Sequence, residues 1–293
     1  MATRNINDLP LIVIVGPTAS GKTALAIELA EKCGGEIICA DSRTIYKDMD
    51  IGTAKPSTQE RARVPHWGLD LIVPNERYSA ADFKAYAEQK IDEIRSRGHV
   101  PFLVGGTGLY VDAVIFNYQF GGESDPLLRT KFEQMTLEEL YKYCHDNNVM
   151  LPENQKNKRY VIRAIETKEQ SAERSQEPIA TSFIVGIATD REILRARIER
   201  RIEQLLQNGV VDEAILLGKK YGWDSEAMTG NIYPLIHMYL NEELSLQDLK
   251  EKSTTIDWRL AKRQLTWMRR NPHIQWRSLD EARKLLAQRL AIE

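Results

Sequence analysis

Short apolar runs alternate with longer segments of helical periodicity through the first hundred residues. Leu11–Val15 is a continuous apolar run, typical of a strand buried on both faces. Thr23–Cys33 predicts a helix, and Glu36–Ala40 predicts a second strand. Ser79–Arg97 predicts an amphipathic helix, and Val100–Val104 predicts a third buried strand. This alternation indicates the α/β class, with a parallel sheet wrapped by helices.

The middle of the chain has a different pattern. Residues 118–181 contain helical stretches, such as Thr136–His145 and Arg159–Lys168, but no convincing strand, and they predict a small all-helical insertion. Residues 1–117 then form the first part of the core, and residues 182–293 return to it. The return begins with a strand over Phe183–Ala188, after which we expect the C-terminal third to be helical.

A phosphate-binding pattern follows the first strand. Residues 16–23 fit G-x-x-x-x-G-K-[ST], between a buried strand and a helix, as a P-loop requires. Its backbone N–H groups and the helix N-terminus bind phosphate oxygens, Lys22 adds a charge, and the Thr23 hydroxyl is placed to ligate Mg²⁺. We therefore expect a di- or triphosphate ligand, although the loop alone would serve an ATPase, a small-molecule kinase or a diphosphate-releasing transferase. The candidate binding residues in the loop are Gly16, Thr18, Ala19, Ser20, Gly21, Lys22 and Thr23.

Two further strands end in residues that could act on a ligand. Asp41 follows the second strand, and residues 105–108 (Gly-Gly-Thr-Gly) follow the third. Ligands of parallel sheets bind at the carboxyl ends of the strands, so we expect both ends to converge with the phosphate loop. From local sequence, Asp41 could be a metal ligand, a general base or a helix N-cap.

Composition sets the compartment and argues at first against nucleic acid. The 293 residues are 42% hydrophobic with a net charge of −2, and the longest apolar run is far too short for a membrane span. The three cysteines have no metal-binding spacing, and the N-terminus has no signal-peptide pattern, so we expect a cytoplasmic protein. We also expect a monomer without a membrane partner.

The distribution of charge reverses the first impression. Between Trp258 and Arg277 the chain has six Arg or Lys residues, one His and no acid. Three tryptophans lie in the same window, and basic residues interleaved with aromatics suit RNA. For Trp267 we favour core packing, and for the flanking cations we favour RNA contact.

The motifs together resemble the tRNA dimethylallyltransferase family. The matching segments are residues 16–23, Asp41-Ser42-Arg43, Ile51–Pro56, Gly105–Tyr110 and Ala261–Trp267, so the resemblance spans nearly the whole chain. It implies transfer of a dimethylallyl group from its diphosphate to N6 of the adenosine immediately 3′ of the tRNA anticodon (adenosine 37), with release of diphosphate. It further implies that the phosphate loop and Arg197 hold the donor diphosphate, with Mg²⁺ shared by Thr23.

The same resemblance assigns roles to individual residues. It implies that Asp41 is the general base for the attacking amine and that Thr107 donates to the bridging oxygen of the diphosphate. The target adenosine is expected to leave its stack and enter the pocket. The residues implied to contact tRNA are Ser42, Arg43, Thr44, Arg129, Arg159, Arg163, Lys262, Arg263 and Gln264. The chain departs from the family pattern at Tyr160, Trp258 and Asn231, within regions expected to contact RNA or to lie outside the donor site.

Three other functions remain open from the sequence. An adenylate isopentenyltransferase would perform the same chemistry on free AMP or ADP, but it would need neither the helical insertion nor the basic, tryptophan-rich stretch. An ATP-dependent small-molecule kinase would share the phosphate loop. The third alternative is an RNA-binding module that responds to a nucleotide without catalysis.

Overall fold

The computed structural model describes residues 9–120, 125–167 and 174–292. They form two compact units, one built from the chain up to Ile115 and from Glu177 onward, the other from Phe116–Gln176. Within these described ranges, no helix has the length and apolar character needed to cross a membrane. The division lies close to the predicted insertion boundaries at 118 and 181.

The larger unit is built on a six-stranded parallel sheet. Its strands are β1 (Leu11–Val15), β2 (Glu36–Ala40), β3 (His66–Trp67), β4 (Pro101–Gly105), β5 (Ser182–Ile187) and β6 (Gln275–Arg277). Their order across the sheet is β3-β2-β4-β1-β5-β6, and all neighbours pair in parallel. Every residue of β1, β2 and β4 is buried, as the continuous apolar runs predict. The carboxyl ends of these three adjacent strands therefore open on one edge of the sheet.

Twelve α-helices accompany the sheet in the described chain, and their ends follow local sequence signals. Ser79 begins α3 with a capping box to Asp82, and Gly34, with φ of 65°, ends α1. The helices are α1 (Lys22–Cys33), α2 (Thr58–Arg63), α3 (Ala80–Ser96), α4 (Gly108–Ile115), α5 (Pro126–Gln134), α6 (Leu137–Asp146), α7 (Lys158–Thr167), α8 (Arg191–Gln207), α9 (Val210–Tyr221), α10 (Tyr233–Leu240), α11 (Leu246–Met268) and α12 (Leu279–Leu290).

The core of the larger unit has two main parts. Ile12, Ile14 and Phe102 of the sheet pack with residues of α1 and α12, and Phe102 has no exposed surface. Truncation of such a buried phenylalanine to alanine costs about 3–5 kcal/mol of stability. A second cluster joins Ile45 and neighbouring loop residues to α9 and α10, with Tyr233 completely buried at its centre.

The smaller unit packs α5, α6 and α7 around its own apolar cluster. The side chain of Glu166 is buried there, and both Arg129 and Arg163 donate hydrogen bonds to its carboxylate. The buried carboxylate is thus compensated inside the unit by two half-buried guanidinium groups. No strand is assigned within the part of this unit that the structure describes, in agreement with the helical pattern of its sequence.

The structure corrects one expectation about the C-terminal third. That region is not wholly helical, because Gln275–Arg277 adds β6 to the edge of the sheet beside β5. At the opposite edge, His66–Trp67 adds β3, which the pattern of the sequence does not predict. The two strands are only two and three residues long, and none of their residues is fully buried. They therefore lack the apolar run by which a strand is recognised in a sequence.

Candidate active site

The three predicted strand ends do meet at one edge of the sheet. The phosphate loop follows β1, Asp41 follows β2, and Thr107 follows β4. The Thr107 amide donates to the Ala40 carbonyl at 3.2 Å, and the Thr107 hydroxyl oxygen accepts the Ser42 amide at 3.0 Å. These bonds join the ends of β2 and β4 and place Thr107 beside the Asp41-Ser42 turn.

The turn after β2 orients the Asp41 carboxylate. Asp41 Oδ1 accepts the backbone amide of Arg43 at 2.8 Å, which leaves the other carboxylate oxygen for a ligand. The Asp41 side chain lines a cavity of about 210 Å³ together with Lys22 and Thr23. Asp41 does not cap a helix in this structure, so one of the three roles left open by the sequence is removed.

The phosphate loop has the backbone of an anion-binding turn. Ala19 and Gly21 adopt positive φ angles of 63° and 91°, and the Ser20 amide bonds back to the Pro17 carbonyl at 3.2 Å. A positive φ is costly for alanine, and strain of this kind is characteristic of functional loops. Gly21 is the residue before α1, so the loop points the N-terminal amides of that helix toward the cavity.

Lys22 carries the perturbed charge of the site. Burial lowers the pKa of its ammonium to about 8, while Asp41 raises it and Arg201 lowers it further. Its Nζ donates to the Pro17 carbonyl at 3.3 Å, which keeps the side chain folded over the loop. A buried ammonium with one carbonyl partner is a strong site for an incoming anion.

Two helices that are distant in sequence close over the loop. Arg197 and Arg201 lie one turn apart on α8, where Arg197 donates to the Ser20 carbonyl at 3.3 Å and Arg201 donates to Thr18 Oγ1 at 2.7 Å. From α11, Gln264 Oε1 accepts the Thr18 amide at 2.8 Å. The loop is therefore held from above by side chains of both helices.

Arg201 and its partner Asp257 were not among the predicted site residues. Arg201 donates to Asp257 Oδ2 at 2.8 Å, and burial raises the pKa of that carboxyl while Arg201 lowers it. The signal for Arg201 was its spacing of four residues from Arg197, which places both on one face of a helix. No comparable spacing in the sequence indicates a role for Asp257.

The lining of the small cavity combines polar and apolar groups. The phosphate loop, Asp41 and Arg201 supply the polar groups, whereas Ile37, Cys39, Val104 and Pro56 supply apolar surface. At about 210 Å³ it is smaller than the ~300–1,000 Å³ of pockets for drug-sized ligands, so it suits a small, partly apolar ligand. A larger cavity of about 670 Å³ adjoins it, and Ala19, Gly21, Ala54, Pro56 and Arg201 line both.

The site is compatible with a magnesium ion that is shared with a phosphate ligand. Within the described residues, no group of three or more His, Cys, Asp or Glu side chains could hold a metal ion. Thr23 and Asp41 nevertheless line the same cavity, and Mg²⁺ commonly takes one or two protein oxygens and completes its shell with phosphate and water. The donor set therefore fits a metal that arrives with a phosphate ligand.

The residues that the resemblance assigned to tRNA occupy different settings in the larger unit. Ser42 and Arg43 are half-buried beside Asp41, and Lys262 and Arg263 are exposed on α11. Thr44 is buried and lines the small cavity. Gln264 was predicted to contact RNA, but the structure places its side chain on the phosphate loop.

In the smaller unit, Arg159 is exposed at the start of α7, whereas Arg129 and Arg163 are half-buried and paired with Glu166. The side chains of the two paired arginines are still partly exposed. All tRNA contacts of these residues stay predictions.

Trp267 is a packing residue, as its spacing indicated. Its Nε1 donates to the Asp112 carboxylate at 2.6 Å, and its ring lies so close to Gly108 that an added Cβ would stand 2.1 Å from it. Gly108 therefore permits the contact between α11 and the start of α4, immediately after Thr107. The basic side chains around Trp267 remain on the exposed face of α11.

A parallel sheet with a phosphate loop, a carboxylate and a hydroxyl at three adjacent strand ends defines the class of P-loop α/β proteins. Comparison with known proteins defines the family. The family model for IPP transferase matches residues 44–271, and the model for isopentenyl transferase matches residues 9–66. The chain belongs to the IPP transferase family.

Individual relatives agree with this assignment. A tRNA dimethylallyltransferase of Acetivibrio thermocellus is 41% identical over 289 residues, 92% of this chain and 92% of the relative. One of Bacillus subtilis is 36% identical over 282 residues, 91% of this chain and 90% of the relative. These relatives and the family make the chain a prenyltransferase, and they favour it over the small-molecule kinase and the non-catalytic module.

Solved structures share the fold over nearly the whole chain. The full-length tRNA isopentenylpyrophosphate transferase of Bacillus halodurans superimposes with a TM-score of 0.73 at 33% identity, covering 97% of each chain. A eukaryotic dimethylallyltransferase acting on tRNA superimposes with a TM-score of 0.72 at 25% identity, covering 88% of this chain and 69% of that one. The predicted P-loop α/β fold is confirmed.

Proposed function

We propose that this protein transfers a dimethylallyl group from dimethylallyl diphosphate to N6 of adenosine 37, next to the anticodon of tRNA, and releases diphosphate. The names of its relatives support tRNA as the acceptor. The observation that carries the proposal is that one small cavity is lined both by Lys22 and Thr23, which suit an anion, and by the carboxylate of Asp41. An alkyl transfer with a diphosphate leaving group needs both.

The phosphate loop holds the diphosphate of the donor. Backbone amides at the end of the loop and the start of α1, together with the ammonium of Lys22, compensate the negative charge that grows on the leaving group. Arg197, which already contacts the Ser20 carbonyl, adds a second cation next to the loop. When bound, Mg²⁺ would be held by Thr23 and the phosphate oxygens and would neutralise further charge on the leaving group.

Thr107 stands at the bond that breaks. Its oxygen accepts the Ser42 amide at 3.0 Å, and its hydroxyl donates to Ser42 Oγ across 3.4 Å, a long hydrogen bond that a better acceptor on the donor can replace. We assign the hydroxyl hydrogen to the bridging oxygen between the prenyl carbon and the diphosphate. The hydrogen bond strengthens as the C–O bond breaks and charge develops on this oxygen, so it acts on the transition state more than on the bound donor.

Asp41 acts on the acceptor. N6 of the adenine attacks the first carbon of the prenyl group, and the carboxylate of Asp41 takes a proton from N6 as the new N–C bond forms. Because the exocyclic amine is a weak nucleophile, a positioned base is what the step requires. The bond from the Arg43 amide fixes the orientation of the carboxylate.

Cations near the site and on α11 suit the phosphates of the anticodon stem-loop. Arg43 adjoins Asp41, and Lys262 and Arg263 are exposed on the helix whose Gln264 contacts the phosphate loop. Contacts of this kind position the RNA without reading its sequence. The smaller unit adds Arg159 and the exposed parts of Arg129 and Arg163.

A labelling experiment tests the proposal. With Mg²⁺ present, dimethylallyl diphosphate labelled in its prenyl group is expected to label a tRNA whose anticodon is followed by adenosine. The matched control is the same tRNA with guanosine at that single position, which is expected to remain unlabelled. Removal of Mg²⁺ with a chelator is expected to abolish transfer.

Three outcomes would contradict the proposal. Label on AMP or ADP but not on tRNA would identify an adenylate isopentenyltransferase. Equal label on both tRNA variants would leave a tRNA prenyltransferase with a different target position. Consumption of ATP without any prenyl transfer would contradict the prenyl donor itself.

A further inference from the structure

A carboxylate outside the catalytic residues binds a run of three backbone amides. Glu213 lies on α9, and its Oε2 accepts the amides of Asp50 at 2.8 Å and Ile51 at 2.6 Å. Its Oε1 accepts the amide of Gly52 at 2.8 Å and the phenol of Tyr233 at 2.9 Å. A carboxylate has about four acceptor positions, so this one is fully occupied.

The neighbourhood is built to bring the backbone close to Glu213. A Cβ added to Gly52 would lie 2.5 Å from Tyr233 Oη, so only glycine allows this approach. Tyr233 is completely buried, and its burial next to Glu213 raises the pKa of the phenol above its usual range. The tyrosine is therefore protonated at neutral pH and donates to the carboxylate.

The residues that Glu213 binds begin a segment that continues into the lining of the small cavity. We call residues 50–56 the wall segment, and it contains neither helix nor strand. Ala54 and Pro56 line both cavities, Thr53 lines the small one, and Asp50 and Ile51 line the large one. Ala19 and Gly21 of the phosphate loop line both cavities as well.

The far end of the wall segment has a separate anchor. Lys55 is buried, and its Nζ donates to the Tyr46 carbonyl at 2.7 Å, to Asp50 Oδ1 at 2.7 Å and to Asp70 Oδ1 at 2.6 Å. Glu213 thus binds the first three amides of the segment, whereas Lys55 ties the segment to Tyr46 and Asp70 and also holds Asp50. Loss of Glu213 would leave three consecutive amides without this acceptor and loosen the beginning of the wall segment, although Asp50 would keep its bond to Lys55.

We propose that Glu213 is a positioning residue that sets the affinity for the prenyl donor by holding the wall segment against the phosphate loop. The inference rests on the proposed function, because the donor is the ligand whose binding it predicts. The wall contacts the donor and not the reacting bond, so it contributes equally to ground state and transition state. Its loss then raises KM for the donor and leaves kcat nearly unchanged.

The matched pair of variants is Glu213→Gln and Asp48→Asn. Glu213→Gln keeps the size of the side chain but replaces one acceptor oxygen by an amino group that faces backbone donors. Asp48→Asn makes the same chemical change in the same loop, where Asp48 pairs with Lys220 and Tyr221 of the same helix at an exposed site. Exposed pairs contribute little, so this variant controls for loss of charge between loop and helix.

The experiment measures donor and tRNA kinetics, the binding of dimethylallyl diphosphate by calorimetry, and thermal unfolding for both variants. For Glu213→Gln we expect donor KM and Kd to rise about tenfold, the equivalent of one hydrogen bond to a charged group, with kcat and the KM for tRNA within about twofold. For Asp48→Asn we expect every value within about twofold of the wild type.

Defined results would overturn the inference. One such result is a folded Glu213→Gln variant that binds the donor with the wild-type Kd. Another is an equal rise in the KM values for donor and tRNA in this variant. If Glu213→Gln does not fold, Glu213→Asp keeps the charge but shortens the reach, and a wild-type donor Kd in that variant contradicts the inference. Absence of prenyl transfer by the wild type is the separate failure of the proposed function, and calorimetry of the variants still tests the wall.

Discussion

The buried ammonium of Lys22 makes donor binding depend on pH in a predictable direction. Burial lowers the pKa of Lys22 to about 8 in the ligand-free protein. The bound diphosphate stabilises the charged form, so binding favours the protonated lysine. As the pH rises through about 8, an increasing share of the free protein must take up a proton before it binds, and the apparent Kd increases.

The size of the effect follows from the titration. With a pKa of about 8, about nine-tenths of Lys22 is charged at pH 7 and about one-tenth at pH 9. The apparent Kd for the diphosphate should therefore rise about tenfold between pH 7 and pH 9, equivalent to about 1.4 kcal/mol. Below pH 7 the contribution of Lys22 becomes constant.

Calorimetric titration of dimethylallyl diphosphate at saturating Mg²⁺ across pH 6.5–9.5 measures this dependence. The ligand also titrates, so the matched control is Lys22→Arg, whose guanidinium stays charged throughout. Ligand titration affects both proteins equally, and the ratio of their Kd values isolates Lys22. Parallel curves for the two proteins would refute the assignment of the pH dependence to Lys22.

Three further variants separate catalysis from structure. Asp41→Asn keeps the acceptor for the Arg43 amide but removes the base. We therefore expect the single-turnover rate of prenyl transfer to fall about 10²–10⁴-fold, with tRNA binding retained. An unchanged rate would make Asp41 a structural residue. Thr107→Val should lower kcat about a hundredfold with a smaller change in donor KM, whereas Thr107→Ser restores the hydroxyl; equal losses in both constants would indicate ground-state binding. Gly105→Ala would place a Cβ 2.0 Å from the Ala40 carbonyl oxygen, so we expect a loss of about 1–3 kcal/mol in urea unfolding, and an unchanged midpoint would contradict the packing of β2 on β4.

Prediction from the sequence succeeded where the signal is local. The strands β1, β2 and β4 are buried on both faces, so each is a continuous apolar run that can be recognised without knowing its neighbours. The phosphate loop has required residue types at fixed spacing, and Ser79 begins α3 through a bond to a residue three positions away. Rules for parallel sheets then predicted that these strand ends share one edge.

Prediction from the sequence failed where an element is stabilised mainly by pairing with a neighbouring element. The strand β6 consists of Gln275–Arg277, and its residues are half-buried or exposed at the edge of the sheet. Nothing in this triplet of Gln, Trp and Arg distinguishes it from a loop, because β5 supplies the pairing partner. The near-neutral net charge argued wrongly against a nucleic-acid partner, because the sum conceals the acid-free basic stretch from Trp258 to Arg277.

By itself, the sequence determined the chemistry that the site contains: an anion-binding loop, a carboxylate and a hydroxyl at strand ends, within a parallel α/β fold. Only the tertiary structure decided how that chemistry is held. Arg201 and Gln264 reach Thr18 from 183 and 246 positions away, and Glu213 holds Gly52 from 161. Such contacts depend on the order of the strands and on the packing of α8, α9 and α11. The type of a residue does not indicate a contact partner that lies so far away in the sequence.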